Sequence, residues 1–169
     1  MTEARGVPDV TAEELARLDE ACFPAAERWT VAAWAGELRA ADRRIGIRRV
    51  DGRLAAAATV QVVADVADLH RILVDPRYRG RRMATGLLAE MLAMAVSAGA
   101  VRVLLEVRRD NTAALALYRG AGFTAIAARA DYYGPGADAL VMEATLVVPP
   151  GQVGGAPRTH PDSGLPGLM

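Results

Sequence analysis

A change of hydrophobic period does most to limit the folds open to this chain. From Val101 to Val107 apolar residues recur at every second position, which is typical of a strand. After Asn111, a good N-cap residue, alanines and leucines favour a helix that Gly120 or Gly122 ends. A strand that leads directly into a helix predicts a mixed α/β fold.

The same reasoning places elements along most of the chain. Two early helices are predicted after the cap residues Thr11 and Thr30, and a hairpin turn is predicted at Asp51-Gly52. The predicted strands span residues 45–50, 54–63, 67–74, 101–107, 123–129 and 139–147, and the later helices span 83–98 and 112–119. We therefore predict one α/β domain over residues 1–148. Residues 149–169 hold five of the nine prolines and five glycines, which predicts a disordered tail.

Composition narrows the function classes. The 169 residues suit a single domain, and 20 basic residues balance 20 acidic ones, so we expect neither a nucleic-acid partner nor a membrane partner. A lone cysteine, Cys22, excludes an internal disulfide, and it is expected to be a packed helix residue. No signal peptide opens the sequence, so a cytoplasmic location is expected.

One acid and one phenol are predicted on adjoining elements. Glu106 lies on the face of its strand opposite the apolar residues, where its surroundings are expected to be otherwise apolar. Two helical turns separate Asn111 from Tyr118, so these residues and the small Ala114 share one stripe of the helix. The simpler alternatives are a solvated Glu106 on an edge strand and a Tyr118 that only packs against Phe123.

A second segment, residues 74–88, predicts an anion site. A strand end, a turn and a helix start follow one another there, and backbone N–H groups at a helix N-terminus attract phosphate. Arg79, Arg81 and Arg82 add positive charge. An arginine-rich solvated surface is the alternative.

Together these segments closely resemble the GNAT family of N-acetyltransferases. The family pattern E-V-R followed by N-x-x-A-x-x-L-Y-x-x-x-G-F is filled at every position between Glu106 and Phe123. Residues 129–133 and 138–142 also fit the C-terminal pattern of the RimI-type ribosomal-protein alanine N-acetyltransferases. The resemblance covers residues 9–147. It implies a twisted, mixed and mostly antiparallel sheet of six to seven strands, splayed between the fourth and fifth, with about four flanking helices.

The resemblance also assigns roles to residues. Glu106 corresponds to the general base and Tyr118 to the general acid for attack of an amine on acetyl-CoA, and no metal is implied. The loop pattern Arg/Gln-x-x-Gly-x-Gly/Ala is met at Arg79 and Ala84, but Arg82 replaces its middle glycine. The residues that correspond to the acetyl-CoA site are Ile72, Leu73, Val74, Arg79, Gly80, Arg81, Arg82, Met83, Ala84, Thr85 and Asn111.

The acceptor is less constrained. His70 is expected to line the acceptor cleft rather than to act as the base, and Tyr132 and Tyr133 resemble substrate-side tyrosines, although they could simply close a hairpin. An α-amine has a pKa of about 7.7–8.0 and a lysine amine about 10.4, which favours a protein N-terminus. The resemblance implies the N-terminal alanine of a small-subunit ribosomal protein as acceptor. A monomer or weak dimer is expected. Acetylation of a small amine or antibiotic, and a non-catalytic acyl-CoA-binding module, remain alternatives.

Overall fold

The structure is a computed structural model that describes residues 8–146. Its elements in chain order are α1 Ala12–Cys22, a 3-10 turn Ala25–Glu27, α2 Val31–Arg39, β1 Arg43–Val50, β2 Arg53–Val63, β3 Val66–Val74, a 3-10 turn Pro76–Tyr78, α3 Met83–Ser97, β4 Arg102–Arg108, α4 Thr112–Gly120, β5 Thr124–Arg129 and β6 Ala139–Thr145. Both ends of the predicted domain and the predicted tail at 149–169 lie outside the described residues.

The six strands form one sheet in the order β1-β2-β3-β4-β6-β5. Every neighbouring pair is antiparallel except β3 and β4, which are parallel. Four α-helices accompany this sheet within residues 8–146. The predicted mixed, mostly antiparallel α/β fold is confirmed.

The sheet is splayed at its one parallel pair. Residues 66–69 of β3 pair with residues 102–105 of β4, and the ladder then stops although both strands continue. The prediction placed this splay between a fourth and a fifth strand. In the six strands of this chain it lies between β3 and β4.

Local sequence signals explain the element starts. The Thr11 side chain accepts from the Glu14 N–H at 3.2 Å, and the Glu14 carboxylate accepts from the Thr11 N–H at 3.0 Å, which completes a capping box. Asp51 and Gly52 have φ values of 48° and 76°, as a two-residue hairpin turn of type I′ requires. The predicted boundaries are otherwise correct to within one or two residues.

Two hydrophobic clusters cover the two faces of the sheet. The larger one packs α3 and α4 on the sheet, with Leu87, Met91 and Phe123 buried. The smaller one packs α1 and α2 on the other face through Leu15, Trp34 and other side chains. Helices thus cover both faces of the sheet. The α1–α2 connection flanks the splay on one face, and α4 flanks it on the other.

Candidate active site

A continuous cleft runs through the splay and consists of three connected cavities. The loop cavity, of about 560 Å³, lies where β3 leads into α3. The central cavity, of about 690 Å³, lies between β3 and β4, and the outer cavity, of about 490 Å³, opens beyond it under the β5–β6 connection. The loop and central cavities share Cys22, Phe23, Ile72, Asn111 and Ala114, and the central and outer cavities share Trp29, His70, Arg71, Glu106, Tyr132 and Tyr133.

The loop cavity gathers most of the residues that the resemblance assigned to acetyl-CoA. Ten of those eleven residues line it, and the exception is Arg81, whose guanidinium lies 5.4 Å from the centre of the Tyr78 ring. Arg79 donates from Nε to the Val74 carbonyl at 3.3 Å. Within residues 8–146, Arg79, Arg81 and Arg82 form no ion pair with a carboxylate. This end of the cleft is therefore positively charged.

The backbone conformation of Arg82 shows why the family pattern has a glycine at this position. It is the N-cap of α3 and adopts φ 59° and ψ 18°, in the left-handed region that glycine reaches without steric cost. Its side chain makes no capping hydrogen bond. The loop thus keeps the turn that glycine favours while an arginine occupies it.

Tyr118 is buried in α4 with its ring 5.7 Å from that of Phe123, and it also lines the central cavity. Tyr118 therefore packs against Phe123, as the simpler alternative expected, and it also reaches the cleft. Asn111 accepts from the Ala114 N–H at 3.1 Å as the predicted cap, and both residues line the same cavity. Burial raises the pKa of Tyr118 above its usual range, so the phenol is protonated at neutral pH.

Glu106 faces the same central cavity from β4, an inner strand of the sheet, so the edge-strand alternative is wrong. Its surroundings are more polar than expected. The Arg129 Nη1 lies 2.8 Å from a Glu106 carboxylate oxygen, and a hydrogen bond between Tyr132 and Glu106 raises the pKa of Tyr132. The two residues predicted to handle protons thus line one cavity, from the two elements that the sequence assigned to them.

His70 lines the outer and central cavities, as expected for a cleft residue. Its Nδ1 lies 3.3 Å from Glu37 Oε1, which the sequence analysis did not single out. Burial alone raises the pKa of Glu37, but hydrogen bonds from His70, Thr59 and Arg43 outweigh it and lower the pKa to about 2. Glu37 is consequently a charged anchor for the His70 ring.

Tyr132 and Tyr133 lie in the β5–β6 connection and line both the central and the outer cavities. Their rings meet edge to face with centroids 5.0 Å apart. The Tyr133 N–H donates to the Ala137 carbonyl at 3.0 Å, so the pair also closes the hairpin. Burial raises the pKa of Tyr133 to about 12.

A buried ion pair that was not predicted from the sequence lies beside the cleft. Arg71 donates from Nη1 to Asp19 Oδ2 at 2.8 Å, and Asp19 also accepts from the Trp29 N–H and from Trp34 Nε1. Burial raises the pKa of Asp19 despite these contacts. A signal was available, because Asp19 lies four residues after Leu15 on the buried face of α1, where an acid needs a partner.

Between residues 8 and 146 no cluster of three or more His, Cys, Asp or Glu side chains is placed to hold a metal ion. No helix in this range is both long enough and apolar enough to cross a membrane.

Comparison with known proteins agrees with this geometry. The family model described as acetyltransferase (GNAT) family matches residues 10–123. The chain is 38% identical over 136 residues to N-alpha-acetyltransferase RimI of Mycobacterium tuberculosis, covering 78% of this chain and 84% of that protein. It is 36% identical over 135 residues to an uncharacterized protein of Mycobacterium leprae, covering 77% of this chain but only 37% of that longer protein.

Among solved structures, the ribosomal-protein-S18-alanine N-acetyltransferase from Escherichia coli superposes with a TM-score of 0.73. The two chains are 28% identical, and the match covers 80% of this chain and 87% of the other. The resemblance to RimI-type enzymes is confirmed. This chain belongs to the acetyltransferase (GNAT) family, and it is an N-acetyltransferase.

Proposed function

We propose that this enzyme transfers the acetyl group of acetyl-CoA to the N-terminal α-amine of a protein, with an N-terminal alanine of a small-subunit ribosomal protein as acceptor. The observation that supports it best is the cleft through the splay, where Glu106 and Tyr118 line one cavity between the loop cavity and the outer cavity. The names of the Mycobacterium tuberculosis and Escherichia coli relatives agree with this acceptor class.

The loop cavity fits acetyl-CoA. Its arginines, Arg79 and Arg82, form no ion pair with a carboxylate in the described part of the chain, which leaves them available to a diphosphate, and Gly80 turns the backbone with φ 76°. The end of β3 presents Ile72 and Val74 to the same cavity, where the ladder to β4 has stopped. Backbone groups of β3 can bond a pantetheine arm there, and the Val74 carbonyl would exchange its present contacts with Arg79 and Cys22 for it. Asn111 lies at the junction with the central cavity. Acetyl-CoA supplies the activated thioester.

The chemistry follows from the two side chains in the central cavity. A C–N bond forms between the acceptor nitrogen and the thioester carbonyl carbon, and the C–S bond breaks. Glu106 accepts the proton that the amine loses, and Tyr118 donates its phenolic proton to the departing sulfur. The raised pKa of Tyr118 keeps that proton in place until sulfur gains charge.

The outer cavity supports a peptide acceptor. Tyr132, Tyr133 and Trp29 line it and offer broad ring surfaces, while His70 and Arg129 supply polar groups. A peptide terminus that reaches Glu106 from this side would have its following residues between these rings. The predicted monomer or weak dimer and the cytoplasmic location stay predictions.

A thiol-release screen with acetyl-CoA tests the acceptor. We expect short peptides that begin with alanine to be turned over at least about tenfold more efficiently than matched peptides with a blocked terminus and a free lysine, because the α-amine loses its proton more readily. Polyamines and aminoglycosides serve as competing acceptors. If any of these is turned over faster than the peptides, the acceptor is a small amine. Cofactor binding without thiol release would indicate a binding module.

Replacement of Arg82 tests the cofactor assignment. We expect Arg82→Gly to raise the Kd for coenzyme A about three- to tenfold, because one cation leaves the phosphate loop while the turn itself is kept. Thermal stability should change little, since relief of the left-handed arginine is offset by the greater freedom of glycine in the unfolded chain. Isothermal titration of wild type, Arg82→Gly and Arg82→Gln measures this. Tighter binding by Arg82→Gly would mean that the arginine obstructs the phosphates.

A further inference from the structure

Glu27 is held by two arginines that belong to opposite halves of the splayed sheet. Arg71, on β3, donates from Nη2 to the Glu27 carbonyl oxygen at 2.6 Å. Arg108, at the end of β4, donates from Nη1 to the Glu27 carboxylate at 2.8 Å. Because the β3–β4 ladder stops at Leu69 and Leu105, these contacts connect the two halves where backbone pairing has ended.

The Arg71 side chain is buried and makes several further contacts. The Arg71 side chain is only 11% exposed, and its other Nη atom is bonded to the fully buried Asp19. Its guanidinium carbon also lies 4.1 Å from the Phe23 ring centre and 4.6 Å from the Trp29 ring centre. The Arg71 side chain therefore contacts both ends of the segment that connects α1 to α2. We call this segment, residues 23–29, the acceptor segment.

The Arg108 contact reaches the acceptor segment from the other side of the cleft. Arg108 also donates two hydrogen bonds of 2.9 Å to Asp110, and its guanidinium carbon lies 5.7 Å from the centre of the Tyr133 ring. Its side chain is 30% exposed and that of Glu27 is 14% exposed, so solvent screens this pair only in part. Loss of the Glu27 carboxylate would leave Arg108 paired with Asp110.

We propose that Glu27, Arg71 and Arg108 form a clamp that fixes the acceptor segment over the cleft and so sets the affinity for the acceptor amine. The inference rests on the proposed function, since it concerns the same reaction. Phe23, Glu27 and Trp29 all line the central cavity, so a displaced segment changes the wall that an acceptor must pass. The three residues act through that wall and are positioning residues. The buried Arg71–Asp19 pair fixes the acceptor segment to the β3 side of the cleft, and the Glu27–Arg108 ion pair fixes it to the β4 side.

The test compares Glu27→Ala with Glu20→Ala. Both acids pair with an arginine, but Glu20 is 3.5 Å from Arg28, so its pair joins the acceptor segment only to α1 and does not bridge the cleft. Acceptor KM is measured with an alanine-starting peptide that has a free N-terminus and no charged side chain, and the Kd for acetyl-CoA is measured by titration. We expect Glu27→Ala to raise acceptor KM about five- to tenfold with kcat and cofactor Kd within about twofold, and Glu20→Ala to change none of these.

The dependence of acceptor KM on salt is a second measurement, and a residue that only stabilises the fold would not change it. Because the bridge is partly exposed, added NaCl should raise the acceptor KM of wild type and of Glu20→Ala. The KM of Glu27→Ala should no longer respond. An unchanged KM in Glu27→Ala, or a parallel loss of cofactor affinity and thermal stability, would overturn the proposal.

Tryptophan fluorescence separates this inference from the proposed function. The chain has two tryptophans, Trp29 and Trp34, whose rings lie 5.0 Å apart beside Asp19. Acrylamide quenching of the free enzyme should increase in Glu27→Ala and stay at the wild-type value in Glu20→Ala. If wild type turns over no peptide, the proposed function fails while quenching still reports on the clamp. If wild type is active and both quenching and KM are unaltered in Glu27→Ala, only the clamp is wrong.

Discussion

Tyr118→Phe is expected to lower kcat by about 10²- to 10⁴-fold, the contribution usual for a positioned general acid. The Tyr118 hydroxyl forms no hydrogen bond with another residue between 8 and 146, and the ring is already packed on Phe123. Removing only the oxygen should therefore leave the fold intact. Steady-state kinetics with acetyl-CoA and an alanine-starting peptide measures the loss.

Two further measurements make this result specific. The Kd for acetyl-CoA and the melting temperature of Tyr118→Phe should match those of wild type, since neither the loop cavity nor the core loses a contact. In wild type, burial raises the pKa of Tyr118 above its usual value of about 10, so turnover should not fall through its ionisation below that pH. A Tyr118→Phe enzyme with undiminished kcat would remove this residue as the acid.

Local signals were sufficient to place the helices and strands. The Thr11 and Asn111 caps, the Asp51-Gly52 turn and the alternation in β4 each follow from interactions within a few residues, and each was predicted correctly. The parallel β3–β4 pair and the splay depend on which distant strands meet. Periodicity carries no such information, so the mixed sheet and its splay came from the resemblance alone, and the parallel pairing of β3 with β4 was found only in the structure.

Some features of the candidate site were likewise predicted from the sequence, and others were found only in the structure. Residues of the family pattern were placed in one cleft, and Arg82 was recognised as a departure, but its left-handed backbone needed the structure. Arg71 and Asp19 are 52 positions apart, and no local rule pairs an arginine in a strand with an acid in a helix. The polar contacts of Glu106 were missed for the same reason, since Arg129 comes from a strand that is not adjacent to β4.

Glu106→Gln is expected to lower kcat/KM by about 10²- to 10⁴-fold at neutral pH, because an amide cannot accept the proton of the attacking amine. Glutamine has the same shape, and its side-chain oxygen can still lie against Arg129 and accept a hydrogen bond from Tyr132, so the cleft should keep its form. Cofactor affinity should be unchanged, since Glu106 does not line the loop cavity.

Glu143→Gln is the matched control for this substitution. The Glu143 side chain is 28% exposed against 27% for Glu106, and each pairs with an arginine, at 3.4 Å and 2.8 Å respectively. Glu143 lies on β6 away from the central cavity, so its variant should turn over at the wild-type rate. The residual rate of Glu106→Gln should rise about tenfold per pH unit below the acceptor pKa of about 7.7–8.0, because only amine that is already neutral can react. Equal losses in the two variants, or a Glu106→Gln rate close to wild type, would exclude Glu106 as the base.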